Sequence, residues 1–216
     1  MGRLWIPFAG ASAKTVVFFI PRTPEMHLDP AGVYWALCRQ NASMGYIPVL
    51  IRDRRDSATD HLERHVREEQ GRRIALFGHG SPGSAGWCHL DGGLLLPAFW
   101  RMSLPYDLVY AHCCWGASVL NRPEWRSVMP HHVSFSSEVS SYLGSRSGRQ
   151  LWVRAFAQIG KAMSRSRTSL EAHANIQAVF DRLFTFEANR ARKSPGDVLN
   201  LMYLIECRDA LTHDQS

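Results

Sequence analysis

Short apolar runs rich in β-branched and aromatic residues alternate along the chain with stretches of helical periodicity. Residues 14–20 (KTVVFFI), 46–51 (YIPVLI), 73–77 (RIALF) and 106–111 (YDLVYA) read as buried strands, and 133–135 (VSF) as a short fifth. Pro21 closes the first run. Pro48 in the second argues for an edge position or a strand start, because proline cannot donate to a sheet ladder. Residues 31–44 place Val33, Leu37 and Cys38 on one helical face, and 57–70 reads as a strongly charged helix with Ser57 as N-cap and Gly71 at its stop. Residues 87–96 read as a hairpin turning at Asp91-Gly92-Gly93, and Pro97 starts a short helix through Met102. Beyond a Ser/Gly/Arg-rich loop at 140–148, the chain turns helical over 149–163, 169–186 and 195–210. This alternation predicts an α/β fold with a sheet flanked by helices. No internal repeat or linker divides the chain, so residues 1–216 are expected to form a single domain, with a core at about 14–163 and a C-terminal helical part at 164–216.

A composition of 45% hydrophobic and 20% charged residues supports a packed core and excludes wholesale disorder. No apolar run reaches the roughly 18–20 residues that span a bilayer, so no membrane partner is expected. Arg3, the apolar residues 4–10 and Ala11-Ser12-Ala13 superficially match a secretory signal, but the apolar part is short and holds Pro7. Ile6 stands where myristoylation wants Ser or Thr. Five cysteines, two of them adjacent, fit a reducing compartment better than a disulfide scaffold, and the cytoplasm is the expected location. The net charge is +6, and all 25 basic residues except Lys14, Lys161 and Lys193 are Arg. Arg favours bidentate contacts with acidic partners or phosphates. These arginines are spread along the chain with no block of like charge, so direct nucleic-acid binding is not expected.

Candidate chemistry gathers after two of the strands. One is followed by Gly78-His79-Gly80-Ser81, the other by His112-Cys113-Cys114-Trp115-Gly116. In open α/β sheets, functional groups collect beyond the carboxyl ends of the strands. A thiol attacks as the thiolate, and a nearby imidazole can take its proton. Glycines let the backbone turn sharply and leave N–H groups unhindered to face a developing oxyanion. A strand-end cysteine is often only a small buried residue, and a glycine-flanked histidine only a turn. Their joint appearance carries the chemical reading.

ALFGHGS (75–81), LDGGLLL (90–96) and LVYAHCCWG (108–116) follow one another in an order that resembles the caspase-like cysteine peptidases of clan CD, most closely the CHAT/separase-like branch. The resemblance covers about 14–163 and is strong only over 73–116. It implies a caspase-like three-layer sandwich with a mainly parallel central sheet, and a His/Cys dyad that cleaves peptide bonds in a protein or peptide substrate without a cofactor. His79 carries over as the proton-transferring residue and Gly80 as a backbone oxyanion donor. The nucleophile is Cys113 if the Cys-x-x-Gly arrangement of many relatives applies, and Cys114 if the Cys-x-Gly of caspases does; Cys113 is preferred. His112 replaces the small residue usual before the nucleophile. The separation of 34 residues from His79 to Cys113 is also shorter than the roughly 50 of caspases. Relatives are often controlled by a separate activating protein, for example in bacterial antiviral defence. Glu138 lies where relatives build the wall of the S1 pocket, and Asp91 lies in the hairpin after the histidine. Either would favour Arg or Lys at P1, whereas Arg146 or Arg149 would suit an acidic P1. Trp115 is placed to line the substrate pocket.

Four other readings stand beside this one. HGSPG resembles a nucleophile elbow, but His79 occupies the position where that motif needs Gly. His112, Cys113, Cys114, His131 and His132, with Cys88 and His89, supply zinc-ligand types without a standard spacing, so no metal is expected. The vicinal thiols could also act as a redox switch. A catalytically inactive caspase-like interaction module is the alternative from another functional class. Cys38 and Cys207 read as inert core residues.

Overall fold

The computed structural model describes residues 16–21, 46–51, 73–77, 107–126, 129–140, 145–190 and 194–214. The expected helices at 31–44, 57–70 and 97–102 and the hairpin at 87–96 lie outside the described residues. Strands β1 (Val16–Pro21), β2 (Tyr46–Ile51), β3 (Arg73–Phe77), β4 (Leu108–His112) and β5 (His132–Phe135) form one sheet with β6 (Leu211–His213), in the order β2-β1-β3-β4-β5-β6. All pairings are parallel except that of β5 with β6. β2 is an edge strand, one of the two positions for which Pro48 argues.

Three of the helices follow from local chemistry. Helix α3 (Arg146–Arg165) begins where the Ser145 hydroxyl accepts from the Gly148 N–H, so the expected loop at 140–148 is shorter than its composition suggested. Helix α4 (Ser169–Ala188) is capped by Thr168, and helix α5 (Pro195–Ala210) by Ser194 and Asp197 in a reciprocal capping box with proline at the first turn. Two short helices, α1 (Gly116–Leu120) and α2 (Pro123–Arg126), fall below the length at which periodicity can be read.

The described residues of β3, β4 and β5 are buried on both faces, and alternation along β3 and β4 sorts them. Ala75, Leu108, Tyr110, Val133 and Phe135 belong to a core shared with α3, α4 and α5, in which Trp152, Phe156, Ile176 and Phe180 are fully or almost fully enclosed. Ile74, Val109 and Ala111 alternate with them and are buried on the opposite face, where α1 packs on β5. This is the expected α/β sandwich. The Arg73 guanidinium, at the start of β3, donates to the Met163 carbonyl in the last turn of α3 at 2.6 Å, and the Trp152 indole N–H donates to Asn200 Oδ1 at 2.9 Å. These bonds tie α3 to the sheet and to α5.

β6 was not expected. It pairs antiparallel with β5, and Asp214, just beyond it, accepts through its carboxylate from the His132 N–H at 3.1 Å and meets His131 Nδ1 at 3.3 Å. The segment after residue 164 therefore completes the sheet. No described helix is long and apolar enough to cross a membrane.

Candidate active site

β3 and β4 are parallel neighbours in the register Arg73↔Leu108 through Phe77↔His112. Their carboxyl ends, at Phe77 and His112, lie side by side. His79, Gly80 and Asp91 lie outside the described residues.

His112 is the last residue of β4 and faces the helical core. Its Nδ1 is 2.8 Å from the Tyr110 hydroxyl, and its ring meets Phe135, Trp152 and Phe156 edge-on at centroid distances of 5.2, 6.0 and 5.3 Å. Burial pushes its pKa down to about 3. The imidazole is thus a neutral packing group in contact with the Tyr110 hydroxyl, so a large polar residue is accommodated at this position.

The alternation of sides continues past the end of the strand. Cys113 turns to the face opposite His112 and is only 2% exposed. It lies against Gly116, the first residue of α1: a Cβ at Gly116 would overlap Ser134 Oγ and stand 2.8 Å from Cys113 Sγ. Cys114 turns back to the helical side, where it packs against the core and its thiol donates to the Val139 carbonyl at 3.4 Å. Adjacent in sequence, the two thiols face different environments, which does not suit a vicinal redox pair. The intervening turn puts Trp115 at φ 50, a left-handed conformation that a non-glycine residue adopts at a cost of about 1–2 kcal/mol. The Trp115 N–H donates to the Ser137 carbonyl at 3.0 Å.

Ser134 is the residue that sequence reasoning missed. It is fully buried, and its hydroxyl donates to the Ala111 carbonyl at 3.1 Å, one residue past the last described β4–β5 pair, Tyr110↔Val133. A side chain thus supplies a donor where the strand ladder stops, and the same hydroxyl meets Gly116. Only a close neighbour absent from the local sequence explains why glycine is needed at 116. Gly116→Ala is expected to lower stability by about 1–3 kcal/mol through overpacking. Adding Ser134→Ala should recover part of this loss by removing the overlapped oxygen. Urea unfolding of the two single variants and the double variant checks it, and strictly additive losses would refute this contact.

After β5, residues 136–140 run past the turn at 113–116. Glu138 is exposed on this segment, as are Arg146 and Arg149 in the first turn of α3. The zinc reading is not supported: His131 and His132 lie at the amino end of β5, whereas 112–114 lie at the carboxyl end of β4. Among the described residues no three His, Cys, Asp or Glu side chains converge on a metal position; Cys88 and His89 lie outside them. Cys207 is a fully buried core residue, as expected, and Cys38 lies outside the described residues.

No family model and no curated protein matches the chain. Among solved structures it is similar to a secreted C11 cysteine protease from Bacteroides thetaiotaomicron, iotapain, at 10% identity and a TM-score of 0.49, over 82% of this chain and 62% of that one. It is also similar to an inactive zymogen C11 protease from Parabacteroides distasonis at 9% identity and a TM-score of 0.45, over 81% and 58%. The chain therefore spans less than two thirds of the length of these proteins. Both are C11 cysteine proteases, and the resemblance to caspase-like peptidases and to their CHAT branch rests on the motifs.

Proposed function

We propose that the chain is a caspase-like cysteine endopeptidase whose dyad is His79 and Cys113. The observation that carries this reading is the parallel register of β3 and β4, with Phe77 opposite His112. Neighbouring strands lie about 4.8 Å apart, and His79, two residues beyond Phe77, is tethered within about 7 Å of it by chain length alone. Cys113 is one residue beyond His112. Cys113 is preferred over Cys114 because Gly116 shapes the space around its sulfur, whereas the Cys114 thiol is engaged with the Val139 carbonyl on the other side.

In this mechanism the His79 imidazole takes the Cys113 thiol proton, and the sulfur attacks the scissile carbonyl carbon. The oxyanion is received by the backbone N–H groups of Gly80 and Cys113. The His79 imidazolium then protonates the departing amine as the C–N bond breaks, leaving a thioester. A water deprotonated by His79 attacks the thioester, the carboxylic product leaves, and the proton returns to the thiol. No cofactor enters this balance.

Partner activation, a role in bacterial defence and a cytoplasmic setting belong to the same proposal. The burial of Cys113 supports control by an activating protein. It also favours the second reading, a catalytically inactive caspase-like interaction module. The single-domain organisation remains part of the proposal, with the contribution of β6 to the sheet as its support.

The test is cleavage of a P1-varied fluorogenic peptide library, together with iodoacetamide labelling at pH 6, where an unperturbed thiol is mostly protonated. The expected result is cleavage after Arg or Lys, with Glu138→Gln lowering kcat/KM for those peptides about tenfold, and one labelled cysteine. Preference for an acidic P1 would transfer recognition to Arg146 or Arg149. Neither cleavage nor labelling would favour the interaction module.

A further inference from the structure

Segment 136–140 is clasped from both ends. From the nucleophile turn, the Trp115 N–H donates to the Ser137 carbonyl at 3.0 Å and the Cys114 thiol to the Val139 carbonyl at 3.4 Å. From the end of α5, the Cys207 thiol donates to the Ser140 carbonyl at 3.8 Å, and the Ala210 carbonyl accepts from the Ser136 N–H at 2.9 Å and from its hydroxyl at 3.2 Å. Val139 is buried beneath the segment, while Ser136, Ser137, Glu138 and Ser140 are exposed.

We infer that Cys114 is a positioning residue: its thiol holds the substrate-recognition segment 136–140 in register with the nucleophile beside it. This rests on the peptidase reading above and assigns the second cysteine a role in binding. Residues 113 and 114 then divide the work by facing opposite sides of the sheet. Cys113 faces Gly116 and Ser134, where bond making takes place, and Cys114 faces the backbone that carries Glu138. The Cys207 thiol, whose pKa burial pushes up, stays protonated and keeps its donor throughout the neutral range.

The role predicts a split between recognition and intrinsic thiol reactivity. Two electrophiles separate them in the full-length protein: iodoacetamide, which needs no recognition, and a peptidyl acyloxymethyl ketone with Arg at P1, which does. In Cys114→Ala the second-order rate of the peptidyl reagent is expected to fall roughly 3- to 10-fold through weaker binding, the equivalent of one neutral hydrogen bond. The iodoacetamide rate at Cys113 should stay at the wild-type value. Cys114→Ser, which keeps a donor, should restore peptidyl labelling and guards against misfolding of the alanine variant. Mass spectrometry of the adducts locates the labelled residue. Equal peptidyl rates in wild type and Cys114→Ala overturn the clasp alone. A parallel fall in both rates, or an adduct on Cys114, overturns it too, because the residue would then be acting on or as the nucleophile. If the wild-type protein takes up neither reagent, the peptidase reading fails and the clasp fails with it.

Discussion

Peptide cleavage is expected to fall by roughly 10³-fold or more in both Cys113→Ala and His79→Ala, and the double variant should be no worse than either. Nucleophile and base act as one unit, so removing one leaves the other without a task. Two neighbours might be thought to compensate. Cys114 sits next to Cys113, but its thiol is on the far side of the sheet and engaged with Val139. His112 is equally close in sequence, but its ring lies among Phe135, Trp152 and Phe156 with Nδ1 at the Tyr110 hydroxyl. With a pKa near 3 it is a poor proton acceptor at neutral pH, and it points away from the thiol. Kinetics on the best peptide of the P1 library decide this assignment. Activity that survives Cys113→Ala and disappears in Cys114→Ala would move the nucleophile by one residue and overturn the division between the two sides.

Acid is expected to destabilise the fold steeply below about pH 6.5. Burial pushes His112 down to about 3 and His132 to about 4, with the nearby Asp214 opposing the latter shift. The unfolded chain returns both groups to about 6.5. Above that value neither state binds the protons, and the fold keeps its full stability. Between 6.5 and the folded values the unfolded state binds protons that the folded state refuses. Stability is then lost as pH falls, at up to about 1.4 kcal/mol per pH unit for each histidine. At pH 5 the two together should have removed about 4 kcal/mol, a large part of the 5–15 kcal/mol typical of a domain. Asp214 acts in the same direction at lower pH. Burial would raise it, but bonds from the Ser169 hydroxyl, the His132 N–H and His131 hold it below its usual range, so its protonation removes further stability. Urea midpoints measured from pH 8 to 4.5 test this. His112→Phe combined with Tyr110→Phe, which leaves no orphaned hydroxyl, should reduce the pH slope by about one proton. Midpoints that do not change between pH 7 and 5 would contradict the buried neutral state of both rings.

Much of this arrangement was legible in the sequence because it depends on local rules. The apolar runs named five strands, Pro48 argued for an edge position or a strand start in β2, and periodicity placed α5 at 195–210. The His-Gly and Cys-x-x-Gly motifs pointed to the ends of β3 and β4, because functional groups gather where parallel strands end. β6 escaped notice because three residues following a helix have no periodicity of their own; only pairing with β5 and the Asp214 bonds make them a strand.

What the chain alone could not decide was which way each side chain at the end of β4 would face. The motifs left Cys113 and Cys114 as competing nucleophiles and offered 112–114 together with His131 and His132 as zinc-ligand types. Alternation carried past His112 by the packing of α1 sends Cys113 to one side and Cys114 to the other, and the length of β5 separates the histidines from both. The same packing brings Ser134 against Gly116 and runs 136–140 past the turn at 113–116. The sequence by itself determined the residue types, the elements and their order, since these follow from periodicity, capping and turn chemistry between near neighbours. Tertiary structure alone decided which side each thiol faces and what it touches. The Cys114 thiol reaches a carbonyl 25 positions along the chain, Gly116 meets Ser134 from another strand, and nothing in the local sequence encodes the face of the sheet on which they meet.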